Sequence, residues 1–270
     1  MNKTVAFIGS GAMASAILRG TCRTQDSSRF LITDIVPGKA EELAKELGCR
    51  VAASNEAAIA EADIVVLCVK PQYARPVLEE IAPSLRDTQK VLCSVLAGTS
   101  IETIRTYLGA PDHPIVRIMP NTPAHVGKGQ MLITAVEQVS EEAKADVLAI
   151  LAPCGTSVWI PESLFDQGTA LSGSSPAFVY LFIEAMADAG VESGFPRAQA
   201  LELAARAVYG AAAMVLETGE HPSALKDKVC SPSGTTIAGV TALDEHGFRF
   251  SVISAIRAAC ARSKAMGEGK

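Results

Sequence analysis

Short, continuously apolar runs alternate with amphipathic stretches through the first 160 residues. The runs Thr4–Ile8, Phe30–Thr33, Ile64–Val69, Val91–Val95 and Ile115–Ile118 are rich in valine and isoleucine, the pattern of strands covered on both faces. Between them, helical spacing predicts Met13–Arg19, Gly38–Leu47, Val77–Leu85 and Ile101–Leu108. Such alternation predicts a parallel, doubly wound sheet. A later strand–helix–strand stretch, Gln130–Thr134, Glu141–Leu151 and Ser157–Ile160, completes it. After Pro161 the strand signals stop. Helices are expected over Ser175–Ala189, Pro196–Glu217, Thr236–Glu245 and Arg249–Met266, with Pro196 at the first helical position and Gly219 as a stop. The fold class expected is therefore an α/β Rossmann-type N-terminal domain, residues 1–160, followed by an all-α domain, residues 161–270.

The segment from Phe178 to Ala187 is apolar on every face but for Glu184. A helix apolar all round has to be covered on all sides, and the remaining helices supply little material for that. A second copy of the chain is the expected cover, which makes the helical half a dimerisation domain. Composition sharpens this reading. The 270 residues are 49% apolar and 20% charged, enough to exclude disorder as the dominant state. Aromatics are only 5%, so the apolar content is largely small or aliphatic and suits closely packed helices. The net charge of −5 argues against a nucleic-acid partner. Runs such as Ile64–Val69 fall far below the roughly 18 residues that span a bilayer, so no membrane partner is expected. The seven cysteines are scattered and form no Cys-x-x-Cys pair, so neither a metal site nor a disulfide framework is expected. A reduced cytoplasmic setting fits them, and the first residues read as a strand rather than a secretory leader.

The chemistry begins at Gly9-Ser10-Gly11-Ala12-Met13-Ala14, which fits the dinucleotide pattern G-x-G-x-x-G/A between the first strand and first helix. Gly9 permits a tight turn, Gly11 lets a pyrophosphate approach the backbone, and Ala14 lets helix pack on strand. Asp34 ends the second strand 20 residues after Ala14, where an acid bonds the adenosine ribose and leans toward NAD. Cofactors lie beyond the C-terminal ends of parallel strands. Three more strand ends meet there: Val69-Lys70-Pro71, Leu96-Ala97-Gly98, and the proline-framed Met119-Pro120-Asn121-Thr122-Pro123, with Asn121 a cofactor-contact candidate. Each of the three, taken singly, also reads as a plain turn. Ser231-Pro-Ser-Gly-Thr-Thr236 opens a helix and, taken alone, reads as a capping turn.

The chain resembles pyrroline-5-carboxylate reductase nearly end to end. The resemblance rests on Phe7-Ile-Gly-Ser-Gly-Ala-Met13, Val69-Lys-Pro71, Arg117-Ile-Met-Pro-Asn-Thr-Pro123, Leu171-Ser-Gly-Ser-Ser-Pro-Ala-Phe178 and, most specifically, Leu225-Lys-Asp-Lys-Val-Cys-Ser-Pro-Ser-Gly-Thr-Thr-Ile237 with Gly247-Phe-Arg249. It implies a nicotinamide-binding domain, a helical dimerisation domain, and homodimers that in this family often assemble into decamers. It implies cofactor contacts at Ile8, Gly9, Ser10, Gly11, Ala12, Met13, Asp34, Asn55, Cys68, Val69, Lys70, Pro71, Val95, Leu96 and Ala97. Substrate contacts are implied at Glu162, Thr235 and Thr236, with Ser174 and Ser175 near the same pocket and Ser231 and Gly234 in the turn that opens the helix. The implied reaction is reduction of a carboxylate-bearing cyclic imine to proline by NADPH, with Thr236 as the partner of the ring nitrogen. Asp34 departs from the family's serine or asparagine–arginine pattern, which admits NADH as well.

A rival reading as a 3-hydroxy-acid dehydrogenase needs a base to take the alcohol proton. No lysine occurs between Lys144 and Lys226 to serve.

Overall fold

The computed structural model describes residues 3–86 and 88–268. Eight strands form one sheet: β1 (Val5–Ile8), β2 (Phe30–Thr33), β3 (Arg50–Val51), β4 (Ile64–Leu67), β5 (Val91–Ser94), β6 (Ile115–Met119), β7 (Gly129–Ala135) and β8 (Gly155–Trp159). Their spatial order is β3-β2-β1-β4-β5-β6-β7-β8. Chain order reverses direction between β1 and β4, the topological switch point at which doubly wound sheets bind ligands.

The helices of this half are α1 (Ala12–Thr21), α2 (Lys39–Leu47), α3 (Asn55–Glu61), α4 (Ala74–Leu85), α5 (Ile101–Leu108), α6 (Glu141–Leu151) and the short α7 (Phe165–Gly168). Because every residue of β1 is buried, alternation along it feeds both faces. Val5 and Phe7 join the cluster that includes α1, α2 and α6, while Ala6 and Ile8 join the one under α3, α4 and α5. Continuous apolar strands follow directly from this two-sided cover.

The sheet is not wholly parallel. β7 runs antiparallel to β6, with Val116 opposite Ala135 and Met119 opposite Leu132. Only residues 120–128 join them, too few for the dozen or more of a parallel crossover. α6 provides such a crossover between β7 and β8, which pair in parallel. Two elements of the sheet half lay outside the expected pattern. β3 is two exposed residues, without a readable period, and α3 is a seven-residue helix set by its cap, Ser54, whose hydroxyl accepts from the Ala57 N–H.

The remaining helices are α8 (Ser175–Glu192), α9 (Arg197–Thr218), α10 (Pro222–Val229), α11 (Thr235–Glu245) and α12 (Phe248–Glu268). Pro196 stands one place earlier than expected, as the cap preceding α9. Gly219 ends α9 with φ 66°, a left-handed stop that glycine adopts without strain. The chain forms two compact units: residues to Gly173 together with those from Ala259 onward, and Ser174–Ala258. The parting by compactness thus falls at Gly173, and the end of α12 belongs to the first unit, where Met266 packs against Gly98.

Within the second unit, α8 and α9 meet through small residues. Ala187, Ala200 and Ala204 are buried, and a Cβ on Gly190 would lie 3.0 Å from the Cβ of Ala200. The rings of Phe182 and Phe248 meet at a tilt of 42°, their centroids 5.7 Å apart. Many large apolar side chains of this unit remain exposed in the single chain, among them Leu181 and Phe250, each at 67%. Small residues thus carry the contact between α8 and α9 within the chain.

Candidate active site

The turn after β1 is built around Gly9. Its φ is 94°, and its N–H donates to the Thr33 carbonyl at 2.9 Å. A Cβ there would sit 2.9 Å from the carbonyl oxygen of Cys68, at the end of β4. The two strand ends of the switch point therefore touch through a position only glycine can occupy. Gly11 caps α1 with an extended backbone and no side-chain bond. That leaves the first-turn N–H groups and the positive end of the helix for an anion. Lys70 has ψ 145°, as the following Pro71 requires, and leads the chain away from the sheet edge.

Asp34 braces this turn. Its Oδ2 accepts from the Ser10 N–H at 2.8 Å and from Ser10 Oγ at 2.6 Å, and Oδ1 accepts from the Val36 N–H at 3.0 Å. Lys39 Nζ lies 3.5 Å away. Burial pushes the carboxyl up, but the bonds from Ser10 and Val36 and the charge of Lys39 outweigh it and hold Asp34 below the usual carboxylate range. Asn55, first residue of α3, accepts from Thr33 Oγ1 at 2.6 Å and donates to Glu80 at 3.0 Å. Val95, Leu96 and Ala97 follow β5, with Leu96 buried and its N–H donated to Ser94 Oγ. All these expected cofactor positions lie at one edge of the sheet, the C-terminal ends of β1, β2, β4 and β5. A cleft lined by Lys3, Asp63, Lys90 and Glu142 sits at the opposite ends of β4 and β5, away from this chemistry.

Asn121 is held within the protein. Its Oδ1 accepts from the Gln130 N–H at 2.9 Å, and its Nδ2 donates to the Ser172 carbonyl at 3.0 Å, in a π-helical turn, Thr169–Ser174. Glu162 is engaged similarly. Oε1 accepts from Arg117 Nη1 at 3.0 Å and from the Ile101 N–H at 2.8 Å.

The Ser231–Thr236 segment precedes and opens α11. Ser233 has φ 58°, the only non-glycine residue with positive φ among those described. Gly234 donates its N–H to the Ser231 carbonyl, and a Cβ on it would lie 2.2 Å from Ser231 Oγ. The bend thus turns the Ser231 hydroxyl toward the start of α11, whose first two residues are Thr235 and Thr236 and whose cap carries no side-chain bond. That helix start leaves first-turn N–H groups without a side-chain cap beside the Ser231 hydroxyl, and Thr236 is exposed. Ser174 and Ser175 stand where the π-helical turn passes directly into α8.

Comparison with known proteins decides the lineage. Residues 162–266 match the family model for pyrroline-5-carboxylate reductase dimerisation. Residues 4–98 match a model described as NADP oxidoreductase, coenzyme F420-dependent. A pyrroline-5-carboxylate reductase of Synechocystis is 42% identical over 99% of this chain and 100% of its own. That of Escherichia coli is 45% identical over 95% of each. The chain belongs to the pyrroline-5-carboxylate reductase family. Among solved structures, the Coxiella burnetii reductase superposes with a TM-score of 0.91 at 32% identity, covering 98% of this chain and 99% of that one. The Plasmodium falciparum reductase, solved with NADP bound, gives 0.88 at 33%, covering 98% of each.

Membership in this reductase family explains the apolar surface of α8. By length and composition alone, Glu162–Glu192 would suffice to cross a membrane. It is not one regular helix, however, but a 3₁₀ turn, α7, the π-helical turn and α8 in succession, and it lies wholly within the dimerisation match. The buried thiols behave as small hydrophobes. Burial pushes Cys93 up to about 12 and Cys68 higher still, and all seven cysteines are free.

Proposed function

We propose that this protein reduces 1-pyrroline-5-carboxylate to L-proline with NADPH, the last step of proline synthesis, as a cytoplasmic homodimer. The observation that carries the reading is the presence, in one chain, of a glycine-cut dinucleotide turn and a hydroxyl-lined helix start. A nicotinamide dinucleotide held at the turn supplies the hydride that the imine carbon accepts. The first-turn N–H groups of α1 bind the pyrophosphate, with Ser10 fixed by Asp34. The loop ends at residues 68–71 and 95–97 frame the rest of the cofactor.

Ser231 Oγ and the N–H groups opening α11 take the substrate carboxylate. Thr236 Oγ1 hydrogen-bonds the ring nitrogen. Positioning is the main demand on these residues, since an imine that arrives protonated is already an electrophile and needs no strong general acid from the protein. Expression in a bacterium lacking its own reductase should restore growth without proline. Continued dependence on added proline contradicts the reading.

Asp34 sets the cofactor preference. Oδ1 accepts a single protein donor, which leaves a lone pair for a ribose hydroxyl, while the negative charge opposes a 2′-phosphate. Lys39, half-exposed beside it, offsets that charge. Both NADPH and NADH are therefore usable. In Asp34→Ser the ratio of NADPH to NADH kcat/KM should rise by roughly tenfold, about 1.4 kcal/mol, as one like charge is removed. An unchanged ratio removes Asp34 from the cofactor site.

Assembly has its own test. Leu181→Asp places a charge on an exposed apolar face of α8, where burial against a second copy would be costly. Light scattering should show the wild type as a dimer or as a decamer of five dimers, and this variant shifted to monomer. A variant mass equal to that of the wild type locates the interface elsewhere.

A further inference from the structure

Arg117 is a buried cation that the reaction itself does not use. It lies on β6, paired in register with Ser94, the last residue of β5. Its side chain is 8% exposed, its guanidinium stands 4.6 Å over the ring of Phe165, and Nη1 donates to Glu162 Oε1 at 3.0 Å. The same carboxylate oxygen accepts the Ile101 N–H at 2.8 Å. Ile101 is the first residue of α5, whose cap, Ser100, accepts from the Thr103 N–H.

Residues 95–100 are thus pinned at both ends. They leave β5 beside Arg117 and enter α5 at a peptide held by Glu162. Within them Gly98 has φ 62° and packs against Met266, so the loop has little freedom once its ends are fixed. A carboxylate at the N-terminus of α5 is favoured by the helix dipole. The arginine beside it, buried where the carboxylate is only partly so, holds that carboxylate in place, and losing the partner leaves the arginine's charge uncompensated.

We propose that Arg117 and Glu162 are positioning residues for the cofactor, a coupled pair that sets the geometry of the loop carrying Val95, Leu96 and Ala97. Neither touches the reacting atoms. This assignment rests on the reading of that loop as part of the NADPH site. It gives Glu162 a role different from the substrate contact that the family resemblance implies.

The test is direct NADPH binding, followed by nucleotide fluorescence on folded protein, with thermal unfolding measured in parallel without nucleotide. Arg117→Met and Glu162→Gln should each weaken NADPH binding by about fivefold or more, as coupled neighbours do. Arg117→Lys, which keeps the charge, should recover most of the loss. The double variant should bind no more weakly than the worse single one, because the two residues act as a unit. Binding within twofold of wild type in both single variants overturns the proposal, even where unfolding temperatures fall, because the pair is then only structural. Additive losses in the double variant also overturn it. A wild-type protein that binds neither NADPH nor NADH overturns the cofactor reading instead.

Discussion

Gly9→Val should abolish useful cofactor binding, with NADPH affinity falling by at least about a hundredfold, near 2.7 kcal/mol. Two costs combine at this position. A non-glycine residue at φ 94° carries about 1–3 kcal/mol of backbone strain. Its Cβ would also meet the Cys68 carbonyl at 2.9 Å, a contact that only backbone movement can relieve. Relief means separating the ends of β1 and β4, and those ends frame the proposed nucleotide crevice. The valine methyls add bulk where the pyrophosphate approaches. Fluorescence titration measures the affinity, and thermal unfolding should show a folded but less stable protein. Binding within threefold of wild type would mean that the nucleotide lies elsewhere.

Thr236→Ala should lower kcat/KM by about tenfold or more, the equivalent of about 1.4 kcal/mol of transition-state stabilisation. Stability should hardly change, because Thr236 is exposed and alanine favours the helix it would join. That separation of activity from stability marks a site residue rather than a packing residue. Thr236→Ser, which keeps the hydroxyl, should retain most of the activity. Steady-state rates at varied substrate give the answer, and an unchanged kcat/KM in the alanine variant removes Thr236 from the site.

The parts legible in the sequence are those whose physics is local. Continuous valine and isoleucine runs announced the central strands because two-sided burial writes itself as an unbroken apolar stretch. The glycine turn was legible because its spacing and its place between strand and helix encode one backbone shape. β3 and α3 were not legible. Two exposed residues carry no period, and a seven-residue helix is specified by one cap, Ser54, more than by its apolar face. α10 escaped for a related reason. It is eight residues long, carries no buried side chain, and is set by Pro222 at its start and by His221, whose ring nitrogen accepts from the Ser223 N–H. The antiparallel run of β7 depends on the short connection before it, which the apolar pattern alone does not weigh.

The candidate site divides the same way. Its individual motifs were readable, but what the polar side chains grip was not. Asp34 reads as a ribose ligand in sequence, and in the fold it also holds Ser10 in the turn. Glu162 and Arg117 are 45 residues apart and join only through tertiary structure. The left-handed bend at Ser233 has no signature, since serine is not the residue such a φ normally selects. Taken alone the hydroxyl-rich stretch reads as a simple cap, and only the family resemblance marks it as a substrate site; the backbone adds that Gly234 closes on the Ser231 side chain.

The central claim is that this chain transfers hydride from a reduced nicotinamide nucleotide to a cyclic imine bearing a carboxylate. Purified protein incubated with NADPH and 1-pyrroline-5-carboxylate should consume nucleotide only when the imine is present, forming one L-proline per NADPH oxidised, with NADH serving as a second donor. Absence of imine-dependent oxidation with both nucleotides, or oxidation without proline, would contradict it.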